Sequence, residues 1–249
     1  MLAFYKKNWY LCQKRKKGME TIRICAMSDM HGKLESNVKP CDLVLICGDI
    51  VPLALQRRTN ECLEWLCESF VNWCNTLPCD KVVVIAGNHD FALESNGEFF
   101  KKKLNEQDKI VYLNCETYEY KGIVIYGTPL CKTFGRWAFM SSPIDQEAFY
   151  RHEMRGKKID ILMSHDSPYG ASDILLQKDC VWADGSHIGN KALNALIEET
   201  KPALMVHGHL HSTNHEMEKI GDCEVYCVST LNEDYERAYE PLYLDFNKN

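Results

Sequence analysis

Apolar runs in this chain repeatedly end in side chains that bind metals or move protons. "SDMHG" puts Asp29 and His31 just after Thr21–Met27, and "ICGDI" puts Asp49 after a run that closes at Cys47. "VVVIAGNHDF" leads a buried stretch straight into Asn88, His89 and Asp90. "MSHDSP" places His165 after Ile159–Ser164, and "VHGHLH" places His207, His209 and His211 after Ala203–Val206. Singly, each has an ordinary reading. Asp29 can cap a helix or a turn, Gly48-Asp49 and Asn88 to Asp90 can form turns, and a lone histidine is usually a hydrogen-bonded polar residue. The joint pattern says more, because five apolar runs end this way.

In α/β sheets the carboxyl ends of the strands form the crevice in which ligands sit. About seven carboxylate, amide and imidazole groups gathered there need partners, since unpaired buried charge is costly. Divalent cations satisfy them all. Oxygen and imidazole donors without thiolate suit Mn²⁺, Fe, Zn²⁺ or Co²⁺, and argue against Ca²⁺ or a cysteine-bound structural zinc. The set is too large for one tetrahedral zinc. It suits two ions sharing a carboxylate, about 3.5–4 Å apart, a spacing that supports in-line displacement at phosphorus by a bridging hydroxide.

The elements that must position these groups are legible in outline. "TIRICAM", "DLVLIC" and "KVVVIAG" read as buried strands. Between the last two, Leu63, Leu66, Phe70 and Trp73 recur at helical spacing, and Pro78 closes the run. Further strands are expected near "KIVYL" and "GIVIYGTP", with Lys121-Gly122 as a hairpin turn before the second. Helices are expected over Asp145–Arg155 and Asn190–Thr200, and strands over Ile159–Ser164, Ala203–Val206, "CEVYCVS" and "PLYLDF". This alternation predicts an α/β fold, a two-layer β core with helices outside, in one domain over residues 21–249.

Composition narrows the setting. The 249 residues are 45% hydrophobic and 26% charged, as in ordinary globular chains. A net charge of −6 argues against general nucleic-acid binding, and no run is long enough to span a bilayer. Residues 1–20 place apolar before basic side chains, the reverse of a secretory signal. They are expected to lie outside the fold, with Met19 as an alternative start. The 13 cysteines, without C-x-x-C spacing, then read as reduced thiols of a cytoplasmic protein.

The series D-x-H, G-D, G-N-H-D, H and G-H-x-H, in that order from Ile24 to His211, resembles the calcineurin-like metallophosphoesterases. The resemblance implies a β-sandwich flanked by helices around two divalent transition-metal ions, with Mn²⁺ favoured. It implies that Asp29, His31 and His211 hold one ion, that Asn88, His165 and His209 hold the other, and that Asp49 bridges them. His89 would contact the phosphoryl group and stabilise the transition state or protonate the leaving oxygen, with Asp90 orienting it. His207 has no such role and reads as structural, and His152 and His215 read as surface residues.

"GDIVPLALQRR" lacks the G-D-x-x-D-R-G motif of the protein phosphatase branch. "YGTPLCKTFGRWAF", "SHDSPYG" and "HIGNKALNALIEETKPALMVHGHLH" resemble the small metallophosphodiesterases, although Asp166 and Ser167 stand where related sequences often have Gly and Pro. The expected substrate is a small phosphodiester, cyclic or linear and nucleotide-like. The alternatives are a phosphomonoesterase, a protein phosphatase or a non-catalytic metal-binding scaffold. Phe134, Arg136 and Trp137 could stack a base and hold a phosphate, or the two rings could simply cover the core. His187 precedes a helix start whose amides could meet an anion.

Overall fold

The computed structural model describes residues 21–176 and 185–247. The expected extension over residues 1–20 lies outside the described residues. Two sheets carry the fold. The first has strand order β13-β1-β2-β3-β4, formed by Leu242–Asn247, Thr21–Met27, Leu43–Cys47, Lys81–Ile85 and Ile110–Tyr112. The second has order β11-β12-β10-β9-β6-β5, formed by Glu218–Ile220, Cys223–Cys227, Leu204–His207, Ile161–Ser164, Ile123–Thr128 and Glu116–Tyr120. A two-stranded ribbon pairs β7 (Cys131–Lys132) with β8 (Met140–Ser141). The expected two-layer β core is therefore present.

Within each sheet the central strands are parallel, and β13, β5 and β11 pair antiparallel at the edges. Parallel strands buried on both faces must be apolar at nearly every position, and the two-residue period sorts them. Ile22, Ile24 and Ala26 of β1, Leu43, Leu45 and Cys47 of β2, and Val83 and Ile85 of β3 face Ile125, Ile161, Met163, Leu204 and Val206 of the second sheet. The alternate residues Cys25, Val44, Ile46, Val82 and Val84 face outward. There they meet Leu66, Phe70 and Phe100 from the helices α1 (Thr59–Trp65) and α3 (Phe91–Leu104) and the π-helical turn Leu66–Phe70 that joins α1 to α2 (Val71–Thr76). On the far side, Tyr126, Leu162 and Met205 pack against Tyr150 of α4 (Pro143–Glu153) and Leu193 and Leu196 of α5 (Lys191–Thr200).

Local chemistry sets the boundaries. Ser142 caps α4 by accepting from Asp145 N with Pro143 at its start, and Asn190 caps α5 by accepting from Ala192 N. Lys121 and Gly122 both take positive φ and close the β5–β6 hairpin. Helix α3 and strand β5 were not expected. Asn96-Gly97 in α3 resembles a turn signal, and Asn96 indeed leaves helical geometry there. Strand β5 alternates half-exposed with exposed residues until buried Tyr120 and so lacks an apolar run. Eleven free cysteines are found among the described residues, and Cys25, Cys47, Cys74, Cys131 and Cys227 are buried. No helix of the described residues is long and apolar enough to cross a membrane.

The sheets approach closely at Gly127 of β6, where an added Cβ would meet Ile85 Cγ2 at 2.6 Å and Leu113 Cβ at 2.8 Å. Gly127→Ala should therefore overpack the inter-sheet core and cost about 1–3 kcal/mol, read as a lower urea midpoint. An unchanged midpoint shows that the sheets part without penalty.

Candidate metal centre

All the parallel strands point their carboxyl ends to one pole, and the polar residues collect there. Asp29 and His31 follow β1, Asp49 follows β2, Asn88, His89 and Asp90 follow β3, His165 follows β9, and His209 and His211 follow β10. Asp29, His31, Asp49, Asn88, His89, His165 and His211 are buried. Ligand atoms of Asp29, His31 and His211 lie within 4.8 Å of one another, as do those of His31, Asp49 and His89, and those of Asp29, Asp49 and His165. The His209 ring lies 5.3 Å from that of His165.

The backbone is bent to achieve this. Asp29, His31, Asp49 and His209 have φ of 53°, 43°, 50° and 72°. A left-handed conformation costs a residue with a Cβ roughly 1–2 kcal/mol. Cross-loop hydrogen bonds hold it: Asp29 N to Gly48 O at 3.0 Å, His31 N to Asp49 O at 3.0 Å and Gly32 N to Ile50 O at 2.9 Å. The glycines of G-N-H-D and G-H-x-H serve a different need. A Cβ on Gly87 would collide with Asp49 Oδ1, and one on Gly208 with Ser28 Oγ and Asp29 Oδ2. Only hydrogen at those positions lets the loops close on the carboxylates.

Hydrogen bonds then aim the imidazoles. His165 Nδ1 donates to Cys47 O at 2.8 Å, leaving Nε2 2.9 Å from Asn88 Oδ1 and 3.4 Å from Asp49 Oδ1. His211 Nδ1 donates to Asn232 O at 2.9 Å, leaving Nε2 3.2 Å from Asp29 Oδ1. A carbonyl can only accept, so each Nδ1 keeps its proton and Nε2 is the atom offered to the cluster. Asp29 also accepts from His209 N at 3.0 Å and Ser229 Oγ at 2.6 Å. His31 differs from the others: both its ring nitrogens are buried with no hydrogen-bond partner among the described residues, and Nε2 lies 3.7 Å from Asp49 Oδ2. An orphaned buried imidazole nitrogen costs about 1–3 kcal/mol and would be satisfied by a cation. The donor set of carboxylate, amide and imidazole fits divalent transition metals on the same ground.

Charge is distributed unevenly. Burial opposes a proton on His165, but Asp49 and then Asp29 outweigh it and hold the ring up to about 10. Burial likewise opposes a proton on His211, and Asp29 lifts that ring to about 9. Burial alone prevails at His31 and His209, lowered to about 4. Asp29 and Asp49 sit below the usual carboxylate range despite burial, Asp29 chiefly through His211 and Asp49 chiefly through His165.

Several expectations are corrected. Asp90 does not orient His89. Its carboxylate accepts from Gly87 N at 2.7 Å, Ile50 N at 3.1 Å and Val51 N at 3.1 Å, tying the loops after β2 and β3 together. The partner of His89 is Gln56, with Oε1 2.5 Å from Nδ1, while His89 N donates to Asp49 Oδ1 at 2.8 Å. Of the rim residues, Trp137 lies 4.4 Å from the His89 ring and Phe134 5.1 Å from that of His209, so neither merely covers the core. Arg136 is exposed and gives its carbonyl to Arg57 Nη2 at 3.4 Å.

His187 pairs with Asp173 at 2.6 Å, and the same carboxylate accepts from Gly189 N at 2.9 Å, so the anion position before α5 is filled from within the chain. His215 is half-buried rather than freely exposed, because Nε2 bonds His211 O at 2.9 Å and the ring stacks on Tyr239. His207 is buried beside the cluster, with Nδ1 3.0 Å from Gly208 O, and His152 is exposed. Gln56, Ser229 and Tyr235 were missed. Ser229 follows β12, so the strand-end pattern could have found it, whereas Gln56 and Tyr235 lie in loops without periodicity.

A family model described as calcineurin-like phosphoesterase matches residues 22–213. The human protein named metallophosphoesterase domain-containing protein 1 is 26% identical over 90% of this chain and 70% of its own length. The Caenorhabditis elegans protein named UPF0046 protein C25E10.12 is 27% identical over 90% of this chain and 80% of its own. The solved structure of TT1561 from Thermus thermophilus superposes with a TM-score of 0.55 at 13% identity, covering 92% of this chain and 99% of that one, a likeness of fold.

The raised imidazoles generate a prediction. Near neutral pH, below about 10 and about 9, His165 and His211 hold protons in the ion-free protein. Cations that take their Nε2 atoms must displace these protons, so affinity should rise with pH. Loading with Mn²⁺ or Zn²⁺ should release about two protons per chain, read by calorimetry in buffers of different ionisation enthalpy. Release near zero shows that the ions bind without these rings.

Proposed function

The chain belongs to the calcineurin-like phosphoesterase family, and we propose that it hydrolyses small phosphodiesters at this cluster with two divalent metal ions bound. The observation that carries the reading is the convergence of Asp29, His31, Asp49, Asn88, His89, His165, His209 and His211 from five strand ends on one pole. In this reading Asp29, His31 and His211 hold one ion, Asn88, His165 and His209 the other, and Asp49 is shared. Two such ions, with manganese favoured, would supply Lewis acidity toward phosphorus and a water activated at neutral pH.

The chain's own residues do the remaining work. The Gln56 amide and the backbone bond to Asp49 fix His89, so that Nε2 faces the cluster 3.8 Å from Asp49 Oδ2. From there it can hold a phosphoryl oxygen or give a proton to the leaving oxygen. Burial lowers the His89 pKa, against the pull of Asp49, which makes it a ready proton donor once charged. Trp137, 4.4 Å away, keeps water from part of that ring.

A diester suits the electrostatics. Among the described residues, the ion pairs of Asp29 and Asp49 are all with imidazoles, without lysine or arginine. A singly charged substrate needs no further cation, whereas a dianionic monoester gains from one. Phe134 and Trp137 border the cluster and support a planar, nucleotide-like ester group. The free thiols support a cytoplasmic setting.

The test is a panel of cyclic and linear nucleotides, phosphomonoesters and phosphopeptides with Mn²⁺, run on the wild type and on His89→Ala. Diesters should be preferred. A wide margin for monoesters or phosphopeptides would identify the site as a phosphomonoesterase or protein phosphatase, and no turnover would leave the scaffold reading. His89→Ala should keep its metals and lose roughly 10²–10⁴-fold in kcat. Unchanged kcat with metals bound removes His89 from the mechanism.

A further inference from the structure

We propose that Tyr235 is a platform for the retained organic arm of the diester, the arm that stays on phosphorus when the other leaves, and that it selects substrates in which this arm is planar. The inference rests on the phosphodiesterase reading above. Tyr235 lies in the loop after β12. Its ring stands 4.9 Å from His31 and 5.6 Å from His211, nearly perpendicular to both, and 6.4 Å from His89. It is half-buried, and it belongs to none of the three core clusters.

The position is built into the loop. Tyr235 has φ 59°, which bulky residues adopt only when their surroundings impose it. Its N–H donates to Asn232 O at 2.9 Å, and its carbonyl accepts from Lys33 Nζ at 2.5 Å. Asn232 Oδ1 takes the amides of Asp234 at 3.0 Å and Glu236 at 2.9 Å. The Asn232 carbonyl that receives Tyr235 N also receives His211 Nδ1 at 2.9 Å. One peptide group therefore references both the His211 imidazole and the Tyr235 ring. The Tyr235 hydroxyl bonds to no described residue, so the ring, not the oxygen, is what this anchoring presents.

Which arm it meets follows from His89. The leaving oxygen must lie near the proton donor, and Trp137 borders that ring at 4.4 Å against 6.4 Å for Tyr235. The leaving arm thus runs along Trp137. The ring contacts of Tyr235 centre instead on His31 and His211, and among the described residues the two aromatic residues share only His89 as a ring neighbour. A group on the Tyr235 side is therefore the one that remains on phosphorus. Stacking of a planar group on an aromatic side chain is worth about tenfold in affinity.

Two substrates isolate the effect: bis-p-nitrophenyl phosphate and methyl p-nitrophenyl phosphate share a leaving group and charge and differ only in the retained arm. In the metal-loaded full chain, Tyr235→Ala should lower the ratio of their kcat/KM values about tenfold, while Tyr235→Phe should keep it within about twofold. Metal loss slows both substrates alike and cancels in the ratio. A ratio unmoved by Tyr235→Ala, or lowered as much by Tyr235→Phe, overturns the platform. A wild type that cleaves neither compound overturns the phosphodiesterase reading instead, and the platform is then read from the same ratio of calorimetric Kd values.

Discussion

Two carboxylates, Asp29 and Asp49, are buried at the seam between the sheets, and that burial is the constraint on which the rest depends. A buried anion is tolerated only with partners. Both carboxylates come from the first sheet, and the two imidazoles they hold protonated, His165 and His211, come from the second. The pairing therefore acts across the sandwich. The bond from His165 Nδ1 to Cys47 O and the bond from Ser229 to Asp29 make the same crossing. Opposite charge and directed hydrogen bonds bring the two carboxyl-end rims together, while apolar packing joins the sheets below.

That arrangement explains why strain accumulates where it does. Four residues of the cluster sit in left-handed backbone conformations, which aspartate and histidine tolerate better than most side chains but still at a cost. Each lies where a strand has just ended and the chain must turn its side chain back toward the seam. Asp90 offsets part of the cost. Its carboxylate receives amides from two loops and fixes the approach of β2 to β3. It supports the cluster through the backbone rather than through His89, so a residue at the end of a catalytic-looking motif has an architectural role.

Legibility in the sequence followed physical range. Strands β1, β2 and β3 were legible because residues buried on both faces must be apolar, and the strand-end residues stood out because polar groups there break the pattern. Strand β5 at a sheet edge and helix α3 with Asn96-Gly97 lacked such contrast. Gln56 and Tyr235 lie in loops, where contacts depend on tertiary closure and leave no period to read. His187 shows the converse error. A histidine before a helix start suggested an anion site, but Asp173, fourteen positions earlier, already occupies it.

The buried thiols give the chain a clock of its own. Burial pushes Cys25 and Cys227 up to about 12 and lifts Cys47 well above the ordinary thiol range, so at neutral pH almost none of this sulfur is thiolate, the form that alkylating reagents attack. These three lie in strands of both sheets, and Cys47 reaches across to Val206 O at 3.6 Å. Their labelling must wait for the sheets to part, whereas half-buried Cys67 on the outer helical layer needs no such event. The spread of alkylation rates along one polypeptide thus records, cysteine by cysteine, the order in which its layers breathe.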